Sequence, residues 1–416
     1  MKLLIYENDD WINLTPLSYI RPVFELRCGM YSLLERILMK AKTEDVVFFV
    51  RDYLVDLVRK KYQYPVNQSG ELNDDLLIVD GRVLAESEFY TDKQAVYVCD
   101  NEVVYAFIKK ENASKIAGKN LSEILDFVKT LPSANVKAKL MRFPWNFIHE
   151  NPEMLRKDFL SSGKRGIEGT FSPQALVKGP DDIFIAEGAE IHPFVVLDTS
   201  SGPVFIDKKA KIFPFSRIEG PCYIGEDTHI MPGASIREGN SIGPVCRIGG
   251  ELEESIIQGY SNKYHDGFVG HAYIGEFVNL GALTTNSDLK NDYSTVTVYV
   301  NGKPIDTGDL KVGSFIGDHT KTSIGTLFNT GTSAGVMCNI TAGGILPKFF
   351  PSFVWYVNNK FMKGFGLEMM LKTARAAMER RKRILTPEEE HVIRKVYEIT
   401  AEMRKAYISK SSKAKT

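Results

Sequence analysis

Residues 203–248 read PVFIDKKAKIFPFSRIEGPCYIGEDTHIMPGASIREGNSIGPVCRI, and within them isoleucine returns at 206, 212, 218, 224, 230, 236, 242 and 248. Ile185, Ile191 and Leu197 begin a shorter run with the same interval of six. A helix buries apolar residues three and four apart, and a half-buried strand alternates by two, so neither element alone gives this spacing. A coil of three short strands per turn does, because each hexad then sends one aliphatic side chain into a triangular core. The expected fold of residues 166–346 is therefore a left-handed parallel β-helix of hexapeptide repeats. Glycine follows the inward residue at Ile224-Gly225, Ile242-Gly243, Ile248-Gly249, Ile274-Gly275 and Ile324-Gly325. We read these glycines as corners that need positive φ.

The spacing lapses after Ile248 and resumes near Phe268, Ile274 and Leu280, so residues 251–266 read as an inserted loop. A second excursion is expected over 286–312, with a strand-like run at 295–300 and a turn at Asn301-Gly302. Excursions from a regular solenoid are where sites are usually assembled. The open end of the stack needs a cap. Residues 347–416 offer helices for it, with Leu367, Met370 and Leu371 at helical spacing. Thr386-Pro387-Glu388-Glu389 is a capping box with proline at the first helical position, opening a last helix through about Lys405, and residues 409–416 should fray.

Residues 1–165 differ in kind. Short apolar runs at 3–6, 46–50, 76–79 and 95–98 alternate with helical stretches such as 30–42, which predicts an α/β domain with a largely parallel sheet. With 416 residues the chain is long enough for two or three domains. Lys plus Arg equals Asp plus Glu at 52 each, so no global field draws it to nucleic acid or a membrane. The five cysteines are scattered without a CxxC pair, which favours a reducing compartment. The start, MKLLIYENDD, turns acidic too early for a signal peptide, and no apolar run reaches membrane-spanning length. Cytoplasm is the expected location.

In an open parallel sheet, ligands bind beyond the carboxyl ends of the strands. The stretch LTPLSYIRPVFELRCG at 14–29 follows the first strand and carries Arg21 and Arg27, whose guanidinium forks suit phosphate oxygens. Composition alone favours pairing both arginines with Glu25 and nearby acids on the surface. IVDGRVL at 78–84 ends another strand with Asp80 and Arg82. Asp80 is a candidate ligand for Mg2+, and Arg82 for a substrate anion.

These stretches, with FPW at 143–145, HENPE at 149–153 and the repeats themselves, resemble the GlmU-related family. Its members join a sugar nucleotidyltransferase domain to an acetyltransferase β-helix. The resemblance implies a homotrimer that takes a sugar phosphate and a nucleotide, with acetyl-CoA as co-substrate. Two departures mark the first domain: Glu7-Asn8-Asp9-Asp10-Trp11 stands in place of the glycine-rich phosphate loop, and Arg82 in place of a metal-binding aspartate. Within the repeats, NKYHDGFVGH at 262–271 followed by Tyr273-Ile274-Gly275 and Asn279-Leu280-Gly281-Ala282 is similar to the family's acetyltransferase site. That places His265 at the catalytic histidine, Phe268 where a tyrosine is expected, and Asn279, Asn286 and Lys290 among the substrate-binding positions. Histidine suits the role, because an amine attacking a thioester must lose a proton near neutral pH. The functional expectation is N-acetylation of an amino-sugar 1-phosphate in UDP-N-acetylglucosamine-type metabolism, with coupled nucleotidyl transfer in the first domain. The alternative is a catalytically reduced trimer that binds sugar nucleotide and regulates. A rival reading gathers His229, His265 and His271 into a zinc site between coils; we expect no metal there. The basic run 380–383 is expected at a solvated helix end, with contact to phosphate or CoA as the lesser alternative.

Overall fold

The computed structural model describes residues 1–413 except 69, 71, 342 and 345. The first domain is built on a six-stranded sheet in the order Val46–Phe49, Lys2–Tyr6, Leu76–Asp80, Glu102–Ile108, Ala95–Cys99, Ser133–Asn135. Lys2–Tyr6 pairs in parallel with both neighbours. Glu102–Ile108 runs antiparallel to both of its own, so the sheet is mixed where a largely parallel one is expected. The cause is local: Asp100 and Asn101 sit at φ 51° and 65°, the pair of left-handed residues that closes a two-residue hairpin. The expected helix at 30–42 is present as Leu33–Ala41, opened by a reciprocal cap between Ser32 and Glu35.

From Gly166 onward the chain is a parallel β-solenoid. One wall has ten strands, from Gly166–Ile167 to Phe349–Phe350, and the other two begin as six-stranded sheets. Ile185, Ile206, Ile224, Ile242, Ile257, Ile274 and Ile316 pair in register up the first wall, all buried.

Three expectations need correction here. Residues 251–266 are not an inserted loop: Glu251–Glu253, Ile256–Gly259 and Asn262–Lys263 continue all three walls. The lapse arises because Ile224 pairs with Ile242 but Ile242 with Ile257, a coil three residues shorter. It is deepened by Lys263, which takes the inward place above Ile248. Ile324 is not a core residue either, being 76% exposed. Gly225, Gly243, Gly249 and Gly275 serve close approach rather than positive φ: a Cβ on Gly243 would lie 2.1 Å from the Gln258 carbonyl of the next coil, whereas Gly325 has the expected positive φ of 68°. The left-handed corner residues lie two places on, as Asp227, Val245 and Phe277 with φ 54°, 60° and 54°.

The second excursion is the antiparallel hairpin Thr297–Val300 with Lys303–Asp306. Its turn residue Asn301 donates its backbone N–H to Thr15 Oγ1 in the first domain. The C-terminal helices are Leu367–Glu379, Pro387–Ile399 and Ala401–Lys413. The reciprocal cap between Thr386 and Glu389 is present, but the expected single last helix breaks at Thr400. Residues expected to fray continue the final helix to Lys413, and 414–416 lie outside the described residues. That helix caps the stack, with the Tyr407 ring 5.3 Å from Phe349 and 5.5 Å from Phe361. The middle helix packs on the first domain, where Lys60 meets Glu388 at 2.7 Å.

The two large parts share one interior. The long helix Pro144–Ser162 lies against the solenoid, and buried Asn151 donates to the Gly239 carbonyl while accepting from Gly29 N–H and Ser241 Oγ. Arg36 and Asp158 form a buried ion pair beside it.

Candidate functional site

The outward positions of the second wall stack as Lys211, His229, Arg247, Asn262, Asn279, Lys321 and Asn339. Each precedes the inward residue of its strand, so bases and amides form a stripe up one face. The first C-terminal helix crosses this face, and between them lies a cleft of about 750 Å³. Its solenoid side carries His229, Arg247, Tyr264, His265, Asn279 and Lys321, and its helix side Thr373, Ala376, Arg380 and Arg381. Burial, with Arg247 adding, holds the His229 imidazole below its usual range. Burial also pushes the Lys321 ammonium down to about 8. Both shifts report a positive, partly desolvated surface.

His265 is exposed on this cleft, its ring 5.0 Å from that of Tyr264. The corner that carries it is fixed from inside. Lys263, 3% exposed, donates from Nζ to the carbonyls of His265 at 2.7 Å and Gly249 at 2.9 Å. Burial lowers that ammonium to about 8. Asn279 shares the cleft and accepts from Asn262 Nδ2 at 2.7 Å.

The other expected residues lie elsewhere. Asn286 is buried and bonds both the N–H and the C=O of Gly270, at 3.0 Å each, so it builds the wall rather than faces a ligand. Phe268 accompanies it on the third wall, donating its backbone N–H to Thr285 Oγ1. Lys290 is tied into its own loop, by Ser294 and the Thr295 carbonyl. His271 lies at another corner, where Nδ1 is 2.8 Å from Asp288 and Nε2 3.4 Å from Glu254. The three histidines of the zinc reading therefore do not converge. One cluster of metal-ligating type among the described residues, Glu238, Glu253 and Glu254, is already compensated by Arg237, Lys311 and His271.

Arg21 and Arg27 do not face a crevice in the first domain; they dock it on the solenoid. Arg21 is buried against Asp318 and Glu276, an ion pairing moved from the expected surface into the interior. Arg27 donates its backbone N–H to Tyr273 Oη at 2.7 Å, and its guanidinium bonds the Met30 carbonyl and lies over the Tyr223 ring. Within 14–29, Thr15, Arg21 and Arg27 thus bond the solenoid, a use that reading one domain at a time cannot supply.

At the carboxyl ends of the first-domain strands, Asn8 caps a 3-10 helix over Asp9–Leu14. Trp11 lies on the Arg51 guanidinium at 4.0 Å, and Arg51 bonds Glu7 and the carbonyls of Ser18 and Arg21. The place of a phosphate loop is thus filled by side chains. Next to it Arg82 bonds both oxygens of Asp80, at 3.1 and 2.9 Å, and reaches Asp10 at 2.9 Å and Glu102 at 3.1 Å. Carboxylates that would have to hold Mg2+ are already turned onto a guanidinium, so these residues do not fit the ion.

The sequence signal for the cleft was available in the residues before every third inward position, K211, H229, R247, N262, N279 and K321. It goes unread when attention stays on the aliphatic phase.

Residues 3–165 match the family model described as sugar nucleotidyl transferase. The chain is 36% identical over 203 residues to a bifunctional sugar-1-phosphate nucleotidylyltransferase/acetyltransferase of Sulfurisphaera tokodaii, covering 49% of this chain and 44% of the relative. It is 28% identical over 314 residues to the bifunctional protein GlmU of Methanocaldococcus jannaschii, covering 73% and 71%. Against that of Heliobacterium modesticaldum it is 26% identical over 199 residues, covering 48% and 38%. The chain thus spans under half the length of the Sulfurisphaera and Heliobacterium relatives. A solved structure, a mutant of the N-acyltransferase AntD from Bacillus cereus in complex with dTDP and coenzyme A, matches 51% of this chain and 100% of its own at 13% identity and a TM-score of 0.22, too slight a likeness to bear on the site. These three relatives are named as bifunctional proteins, two of them GlmU, and the sheet domain carries the nucleotidyl transferase resemblance.

Proposed function

We propose that the chain is a transferase of sugar-nucleotide metabolism that moves an acetyl group from acetyl-CoA to the amine of an amino-sugar 1-phosphate, with His265 as general base. The observation that carries this is His265 itself, exposed on a cation-lined cleft with its backbone held by buried Lys263. In the step, the sugar amine attacks the thioester carbon as the imidazole takes its proton. The tetrahedral oxyanion collapses with loss of the CoA thiolate, and the imidazolium returns the proton to sulfur. Asn279 and Lys321 stand on the same face to receive sugar hydroxyls and phosphate. The relatives named as nucleotidylyltransferase/acetyltransferase support this class of reaction.

The first domain is assigned the sugar nucleotide. Its phosphate loop and metal carboxylates are occupied internally by Arg51 and Arg82, and that favours a second reading, in which this domain binds without nucleotidyl turnover. Separate assays of acetyl transfer and of UTP-dependent pyrophosphate release distinguish the two. Assembly as a homotrimer is supported by exposed apolar side chains at one solenoid corner, where Phe194 and Phe215 stack and, with Leu283 and Ile324 further along, are over half exposed. Sedimentation over a concentration series tests it. Among the described residues no helix is long and apolar enough to cross a membrane.

A further inference from the structure

The cleft that holds His265 carries more positive charge than one sugar phosphate needs. Arg247 and Lys321 stand on the solenoid side and Arg380 and Arg381 on the helix side, and no Asp or Glu lines the cleft among the described residues. Arg247 meets Asp227 at 3.8 Å, while Arg380, Arg381 and Lys321 form no ion pair among the described residues. The Nε of Arg381 is buried and has no hydrogen-bond partner. Burial, then Arg247 and Arg380, lower the Arg381 guanidinium.

Buried arginines such as Arg36 and Arg82 have Asp158 and Asp80, and Arg383, the last of the run, has Glu389 and the Tyr260 ring. Three cations without an acid partner, beside Arg247, stand around one space and repel each other unless an anion joins them. Exposed Tyr264 and neighbouring Phe213 add a ring-stacking wall, and the space is of a size that takes a nucleotide.

We infer that Arg380 and Arg381, delivered by the chain's own C-terminal helix, clamp the phosphates of a nucleotide-bearing ligand against Arg247 and Lys321. Guanidinium forks pair with phosphate oxygens two at a time. The inference rests on the transferase reading, in which the ligand is the adenosine diphosphate portion of coenzyme A; a UDP-sugar presents the same phosphate chemistry.

The test is calorimetric titration of the full chain with inorganic pyrophosphate, coenzyme A and UDP-N-acetylglucosamine, for the native protein and the isosteric variant R380Q/R381Q. Circular dichroism and melting verify that the variant is folded, and K321M is a second variant free of the helix. The expected result is that pyrophosphate and one of the two organic ligands weaken about tenfold or more in both variants, and that the native affinity falls with salt. Loss on coenzyme A identifies the acyl donor, and loss on the UDP-sugar identifies the nucleotide sugar. Unchanged affinities for all three, or no binding of any of them by the native chain, would overturn the clamp. Binding that depends on these arginines in a protein without acetyl transfer would leave the clamp standing and remove the transferase reading instead.

Discussion

The buried ammonium of Lys263 donates to the carbonyl oxygen of His265 at 2.7 Å, from a core position that Ile248 fills one coil below. A charge has replaced an aliphatic side chain in order to hold the corner on which the imidazole stands. The ordinary lysine value of 10.5 is lowered to about 8, so the folded chain binds fewer protons than the unfolded one between those values. Its stability therefore rises with pH through that window. K263I should be more stable than the native protein at pH 6–7, by up to about 3 kcal/mol, with the difference shrinking toward pH 10. Acetyl transfer in the same variant should fall at least about tenfold in kcat, because the corner is released. Denaturant melts across pH, read beside steady-state kinetics, check both halves.

His271 behaves in the opposite sense. Despite the opposing effect of burial, Asp288 and Glu254 raise its imidazole from 6.5 to about 9. The stabilisation is fully present below pH 6.5 and is lost as pH rises through about 9. Its full size is about 3 kcal/mol by the linkage relation. H271Q should flatten the stability profile between pH 6.5 and 9, and hydrogen exchange should locate the loosening at 286–312, which Asp288 anchors. An unchanged slope would show that the clamp carries no coupling.

Arg82 is a cation built into the site that a metal would use. R82A leaves Asp80, Asp10 and Glu102 facing one another and should cost about 3–5 kcal/mol. Millimolar Mg2+ should recover part of that loss in the variant and leave the native melting temperature unmoved. EDTA should not alter native nucleotide-sugar binding.

R21M removes the buried partner of Asp318 and Glu276. It should destabilise by about 3–5 kcal/mol and split a single thermal transition into two, one for the sheet domain and one for the solenoid. Calorimetry reads this directly, and a single transition at the native temperature would contradict it.

The solenoid was legible because one inward residue per six is a strong period, and four of the six sheet strands because four apolar runs stood apart. What stayed hidden was non-local. Glu102–Ile108 is not among the runs read as strands, and its direction is set by two left-handed residues rather than by apolar pattern. Lys263 breaks the aliphatic phase, so a continuous coil looked like a loop. Of the site residues, His265 and Asn279 meet in one cleft. Arg21 and Arg27 carry phosphate-binding chemistry in their side chains but spend it on the junction between domains, and that use is decided by Asp318, Glu276 and Tyr273, about 250 to 300 residues away. Arg380 and Arg381 looked like a solvated helix end because nothing in the linear order brings them to Arg247.

The most direct measurement is acetyl transfer from acetyl-CoA to glucosamine 1-phosphate by the native chain and by H265Q, with coenzyme A affinity measured in parallel. The account predicts a loss of about 10²- to 10⁴-fold in kcat with unchanged coenzyme A binding. A variant that transfers acetyl groups at the native rate would contradict it.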